Sequence, residues 1–169
     1  QFEAEQVNRV LPGSMLLLGE RATVQNVKQA AGSAGLLHVA AHAQFRADNP
    51  LFSGLELSDG WLLAHDLYAM QLKCDLAVLS ACYTGIGGLE AGDELFGMVR
   101  GFLSAGARSV AASFWAADDR VTEETMNVFY SKIADGCGPC TALTESQKVI
   151  RNSWPHPYYW AAFALIGAR

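Results

Sequence analysis

Leu76-Ala-Val-Leu-Ser-Ala-Cys82 and, about forty residues earlier, Leu36-Leu-His-Val-Ala-Ala-His42 are the stretches from which the architecture can be read. Each is an almost unbroken apolar run, Leu76–Ala81 and Leu36–Ala41, closed by a residue with reactive chemistry. Strands that read as continuous rather than alternating apolar runs are covered on both faces, as in a parallel sheet with helices above and below. Further runs lie outward from these two. Met15–Leu18 stops at Gly19, Ser109–Trp115 leads into Ala-Ala-Asp-Asp, and Tyr159–Ile166 stops at Gly167.

Helical patterns fill the gaps. Thr23–Ala31 opens on a capping threonine, and Gly92–Ala105 carries Asp93 and Glu94 at its start, where acids suit the positive end of a helix. Val121–Ala134 runs to a Gly136 stop, and Thr141–Arg151 ends ahead of Pro155. Strands alternating with helices predict an α/β fold. Leu55–Leu63 alternates around Asp59-Gly60, which predicts a small hairpin beside the main sheet, followed by a short helix near Ala64–Met70. The chain opens on Glu3–Val10, which reads as a helix tail, so a preceding segment is expected on another chain or removed.

Composition narrows the function. With 169 residues, 51% hydrophobic and 17% charged, the chain predicts one domain with a sizeable core. A net charge of −5, with 12 scattered basic residues, speaks against gripping nucleic acid through its phosphates. No apolar stretch has the length of a membrane span. Four cysteines are too few for a disulfide scaffold, which predicts free thiols in a reducing, cytoplasmic setting.

Ligands of open parallel sheets bind outside the carboxyl ends of the strands. That rule selects His42 and Cys82, each directly after a buried strand. Neighbouring strands lie ~4.8 Å apart, so adjacent strand ends can serve one reacting group. A histidine and, about forty residues later, a cysteine on such ends give the arrangement of a caspase-type cysteine protease.

These segments, Leu36–His42 and Leu76-Ala-Val-Leu-Ser-Ala-Cys-Tyr-Thr-Gly85, resemble those of the CHAT domain, a caspase-like domain often found behind tetratricopeptide repeats in prokaryotes. Gly92-Asp-Glu-Leu95, Phe102–Arg108, Ser113-Phe-Trp-Ala-Ala-Asp-Asp119 and Tyr159-Trp-Ala-Ala-Phe163 extend the likeness from about residue 11 to the C-terminus. The resemblance implies a caspase-like three-layer α/β/α sandwich with a mostly parallel sheet, spanning 1–169 as a single domain without the segment that usually opens the fold. It implies a cysteine endopeptidase with Cys82 as nucleophile and His42 as general acid and base. Backbone N–H groups of Ala43 and Cys82 would form the oxyanion hole. Ala43 stands where the family commonly has glycine. Ser80, Ser113, Trp115, Asp118 and Asp119 are the expected substrate-binding positions, Ser80 shaping the first specificity pocket and Ser113–Trp115 pairing with substrate backbone. No cofactor or metal is implied. The expected partners are a protein substrate and a repeat-containing regulatory or sensor region in the same or a partner chain, within prokaryotic signalling or antiviral defence.

The chemistry of the pair is consistent with this. A free thiol is only a few per cent thiolate at pH 7, and a nearby imidazolium raises that fraction. Histidine can then return a proton to the leaving amine. The rival reading is a caspase-like scaffold that signals by binding. A third reading comes from Cys137-Gly-Pro-Cys140, which spells a thioredoxin active site but lies between two helices, where a Gly-Pro turn accounts for it. His38, four residues before His42 on the same strand face, is expected beneath the site in a supporting role. His65 and His156 are expected at the surface.

Overall fold

A computed structural model describes residues 2–44, 46, 48–83, 91–115 and 118–168, with backbone alone at 81–83 and 91–94. The sheet is built around three parallel strands, β1 (Leu36–Gln44), β4 (Leu76–Tyr83) and β5 (Ser109–Ser113). β2 (Gly54–Leu57) and β3 (Gly60–Leu63) form the expected hairpin beside β1, and β6 (Phe163–Gly167) closes the far side, giving the order β3-β2-β1-β4-β5-β6.

The α/β class holds, but the sheet is mixed rather than mostly parallel: β1–β2, β2–β3 and β5–β6 all pair antiparallel. At β6 the cause lies in the connection. One crossover helix returns a chain to the starting end of the next strand, which makes that strand parallel. Here two long helices intervene, α5 (Asp119–Ala134) and α6 (Pro139–Ser153), packed against each other. The second brings the chain back to the end where β5 finished, so β6 must run the other way.

Alternation along β4 separates two cores. Ala77 and Leu79 pack with α2 (Val24–Ala31), α3 (Ala64–Tyr68) and α4 (Ala91–Ala105) through Val27, Leu67 and Phe102. Leu76 and Val78 pack with α1 (Phe2–Val10), α5 and α6 through Val7, Phe129 and Leu143. Helices therefore cover both faces, giving the three layers. Phe102 and Phe129 are among the largest fully buried side chains, each contributing on the order of 2–3 kcal/mol in transfer free energy. Gly106, at φ 114° just past α4, cannot be replaced without strain, because a Cβ there would stand 2.4 Å from the Leu72 carbonyl oxygen.

Two expected strands differ. Met15–Leu18 forms no strand, and Met15 is 75% exposed; strand propensity without a ladder partner does not suffice. The run Tyr159–Ile166 becomes a strand only from Phe163. Ahead of it, α7 (Pro157–Trp160) is started by Pro157 and by the His156 ring, which accepts from the Tyr158 N–H at 3.2 Å.

Candidate active site

The β1–β4 ladder sets His42 directly opposite Cys82 in Cα register, one pair before Ala43 opposite Tyr83. His42 is exposed at the carboxyl end of β1. The side chain of Cys82 lies outside the described residues. Ala43 is buried within β1, paired with Tyr83 on one side and Leu55 on the other. It thus occupies an extended strand position rather than a turn.

The expected substrate positions take varied places. Ser113 ends β5, half-buried and paired with Phe163. Trp115 is 37% exposed and donates its indole N–H to the Tyr158 carbonyl at 2.8 Å, which ties the end of β5 to α7. Asp118 caps α5, accepting from the N–H groups of Arg120 and Val121 at 3.0 and 3.2 Å. Asp119 is exposed in the first turn of the same helix. Ser80 is buried on β4, opposite Ala40, with its hydroxyl donated to Oε2 of Glu3 at 2.9 Å.

That last bond belongs to a polar cluster just below the strand ends. Nδ1 of His38 lies 2.8 Å from the Tyr130 hydroxyl, and Nε2 lies 3.4 Å from Oε1 of Glu3. The His38 and Tyr130 rings meet edge to face, centroids 5.5 Å apart. Burial, reinforced by the Glu3 charge, holds the Tyr130 phenol well above the ordinary tyrosine range. The phenol therefore keeps its proton, and its hydroxyl shares with Nδ1 a hydrogen bond whose direction is set by the ring tautomer. Nothing in the reading of the chain's opening helix singled out Glu3. The available signal was its spacing: Glu3 stands four residues before the buried Val7, on the apolar side of α1.

The remaining candidates are accounted for by local structure. His65 is exposed on α3 and His156 caps α7. Cys137 is half-buried, its N–H bonded to the Lys132 carbonyl at the end of α5, while Gly138 and Pro139 start α6 and Cys140 is exposed in its first turn. Cys74, before β4, is buried, which pushes its thiol up. Among the described residues no group of three or more His, Cys, Asp or Glu could hold a metal ion, and no helix is long and apolar enough to cross a membrane.

The model of the CHAT domain family matches residues 1–168. The chain belongs to the CHAT domain family. This CHAT domain is 35% identical to tetratricopeptide repeat protein 28 of Mus musculus over 109 residues, which is 63% of this chain and 4% of that protein. The Homo sapiens protein of the same name is 34% identical over 109 residues, with the same shares. The chain thus corresponds to a small part of each of these relatives. Family membership accounts for the caspase-like fold, and the relatives' name fits a CHAT domain accompanied by tetratricopeptide repeats.

Proposed function

We propose that this CHAT domain is a cysteine endopeptidase working through His42 and Cys82. The observation that carries the reading is their pairing across the parallel β1–β4 ladder at its carboxyl end, with the His42 imidazole open to solvent. In this mechanism the Cys82 thiolate attacks the scissile carbonyl and His42 holds the proton it gave up. The backbone N–H groups of Cys82 and Ala43 are proposed to meet the tetrahedral oxyanion, Ala43 first leaving its ladder positions opposite Tyr83 and Leu55. Collapse breaks the C–N bond, and His42 delivers its proton to the departing amine. Water, activated by the same imidazole, then hydrolyses the thioester and restores the thiol.

Ser113 and Trp115 are proposed to line the path of the substrate backbone, Ser80 the first specificity pocket, and Asp118 and Asp119 its rim. A repeat-containing sensor, fused or separate, is proposed to release the activity. The setting of prokaryotic cytoplasmic signalling or antiviral defence rests on the family resemblance; the curated relatives matched come from mouse and human.

Two measurements test this. Iodoacetamide should alkylate Cys82 stoichiometrically and faster than the exposed Cys140, an advantage lost in His42→Ala. Comparing protein termini formed by the activated full-length protein and by its Cys82→Ala variant should then give new termini only with the parent. Unselective labelling together with no new termini would establish the scaffold instead.

A further inference from the structure

The cluster beneath the strand ends joins four elements. Glu3 comes from α1, His38 from β1, Ser80 from β4, and Tyr130 closes the group from α5. Oε1 of Glu3 and Nε2 of His38 are both buried, and neither has a hydrogen-bond partner among the described residues. They face each other at 3.4 Å. Tyr130 is hydrogen-bonded to the other nitrogen of the His38 ring, and Ser80 donates to the other carboxylate oxygen of Glu3. One carboxylate therefore receives both strands.

Its level in the sheet matters. At ~3.3 Å per residue, Ser80 lies ~6.6 Å below Cys82 and His38 ~13 Å below His42. The lateral pairing changes near the strand ends. The β4–β5 ladder stops at Leu79 opposite Ala112, and β2 meets β1 only at Ala43 and Gln44. Between those limits, the described pairing holds the ends of β1 and β4 to each other alone. α1 is the brace laid across them. Putting a carboxylate into a half-buried helix face costs desolvation that an apolar residue would avoid, whereas directional bonds specify one arrangement.

We propose that Glu3 is a positioning residue: by receiving Ser80 and His38 it fastens α1 across the sheet and holds the ends of β1 and β4 at the separation His42 and Cys82 require. It follows that lifting α1 turns the site off without touching either reacting group. This rests on the cysteine-peptidase reading.

The test is the rate of Cys82 alkylation by iodoacetamide in the whole chain between pH 5 and 9.5, read peptide by peptide, with Cys74, Cys137 and Cys140 as internal references. Glu3→Ala should slow Cys82 about tenfold at pH 7, the scale expected of a small misplacement. It should also move the midpoint of the rate–pH curve up toward an unassisted thiol, ~8.5, leaving the reference cysteines unchanged. Glu3→Gln should stay within about threefold, since its carbonyl can accept from Ser80 while its amide donates to Nε2 after a tautomer change. A merely structural role would not move the midpoint. A folded Glu3→Ala chain with the parental rate and midpoint overturns the proposal and leaves the peptidase reading intact. If Glu3→Ala does not fold, Ser80→Ala and Tyr130→Phe carry the same expectation and the same power to overturn it. A parent in which Cys82 labels no faster than Cys140 sinks the peptidase reading itself, and this proposal with it.

Discussion

His38 and His42 are four residues apart on one face of one strand, yet they live in different environments. The His38 side chain is 5% exposed and wedged between a phenol and a carboxylate. His42 stands exposed where β1 ends. The lesson is that position along a strand, rather than residue type, separates an imidazole held among buried partners from one that a ligand could reach. The lower histidine is fixed by bonds it cannot give up cheaply. The upper one faces solvent at the strand end.

The sharpest way to break the contrast is to delete each ring. His42→Ala should lower the rate of peptide cleavage by about 10²–10⁴-fold, the usual range for a general acid–base group, and change the thermal midpoint little. His38→Ala should do the reverse in emphasis. A cavity and an orphaned Tyr130 hydroxyl should together cost roughly 2–4 kcal/mol in urea unfolding, with a rate loss near tenfold rather than thousandfold. If the two variants lost stability equally, the contrast would collapse.

Tyr130→Phe sharpens it further, at about 1–2 kcal/mol near neutral pH, and the pH dependence carries a defined sign. The folded phenol titrates above its unfolded value, near 10. The folded state thus holds its proton where the unfolded state has lost it. The stabilisation is complete below pH ~10 and falls away as pH rises beyond it. The parent should therefore lose stability more steeply than Tyr130→Phe above pH ~10, measured by chemical denaturation across pH 8–11. The smallest effect is expected at the rim. Asp118→Ala should cost ~1 kcal/mol as a lost helix cap. Should it also change which peptides are cleaved, Asp118 touches substrate as well as its own helix.

Much of the frame was legible before any coordinates. Leu36–Ala41 and Leu76–Ala81 lie within β1 and β4, and Ser109–Trp115 contains β5, because burial on both faces leaves unbroken apolar runs. The reversal at β6 was readable only by following the chain. Two successive helical patterns after one strand imply a return to the same end, a consequence of connectivity that hydropathy does not display. The pairing of His42 with Cys82 could be anticipated because both close a run. The support beneath them could not, since it joins residues 3, 38, 80 and 130. Separations that large leave no local pattern. Likewise Met15–Leu18 has the composition of a strand but lacks the neighbour that would make it one.

The double helical return between β5 and β6 has one more outcome. It delivers α7 and the tether from Trp115 to Tyr158 to the rim where β5 finishes, parallel to β4. An extended peptide reaching from that rim to the end of β1 would staple together parts of the chain more than a hundred positions apart. Occupancy should then be visible as a melting temperature that climbs with peptide concentration, giving a label-free screen for substrates that needs no cleavage at all.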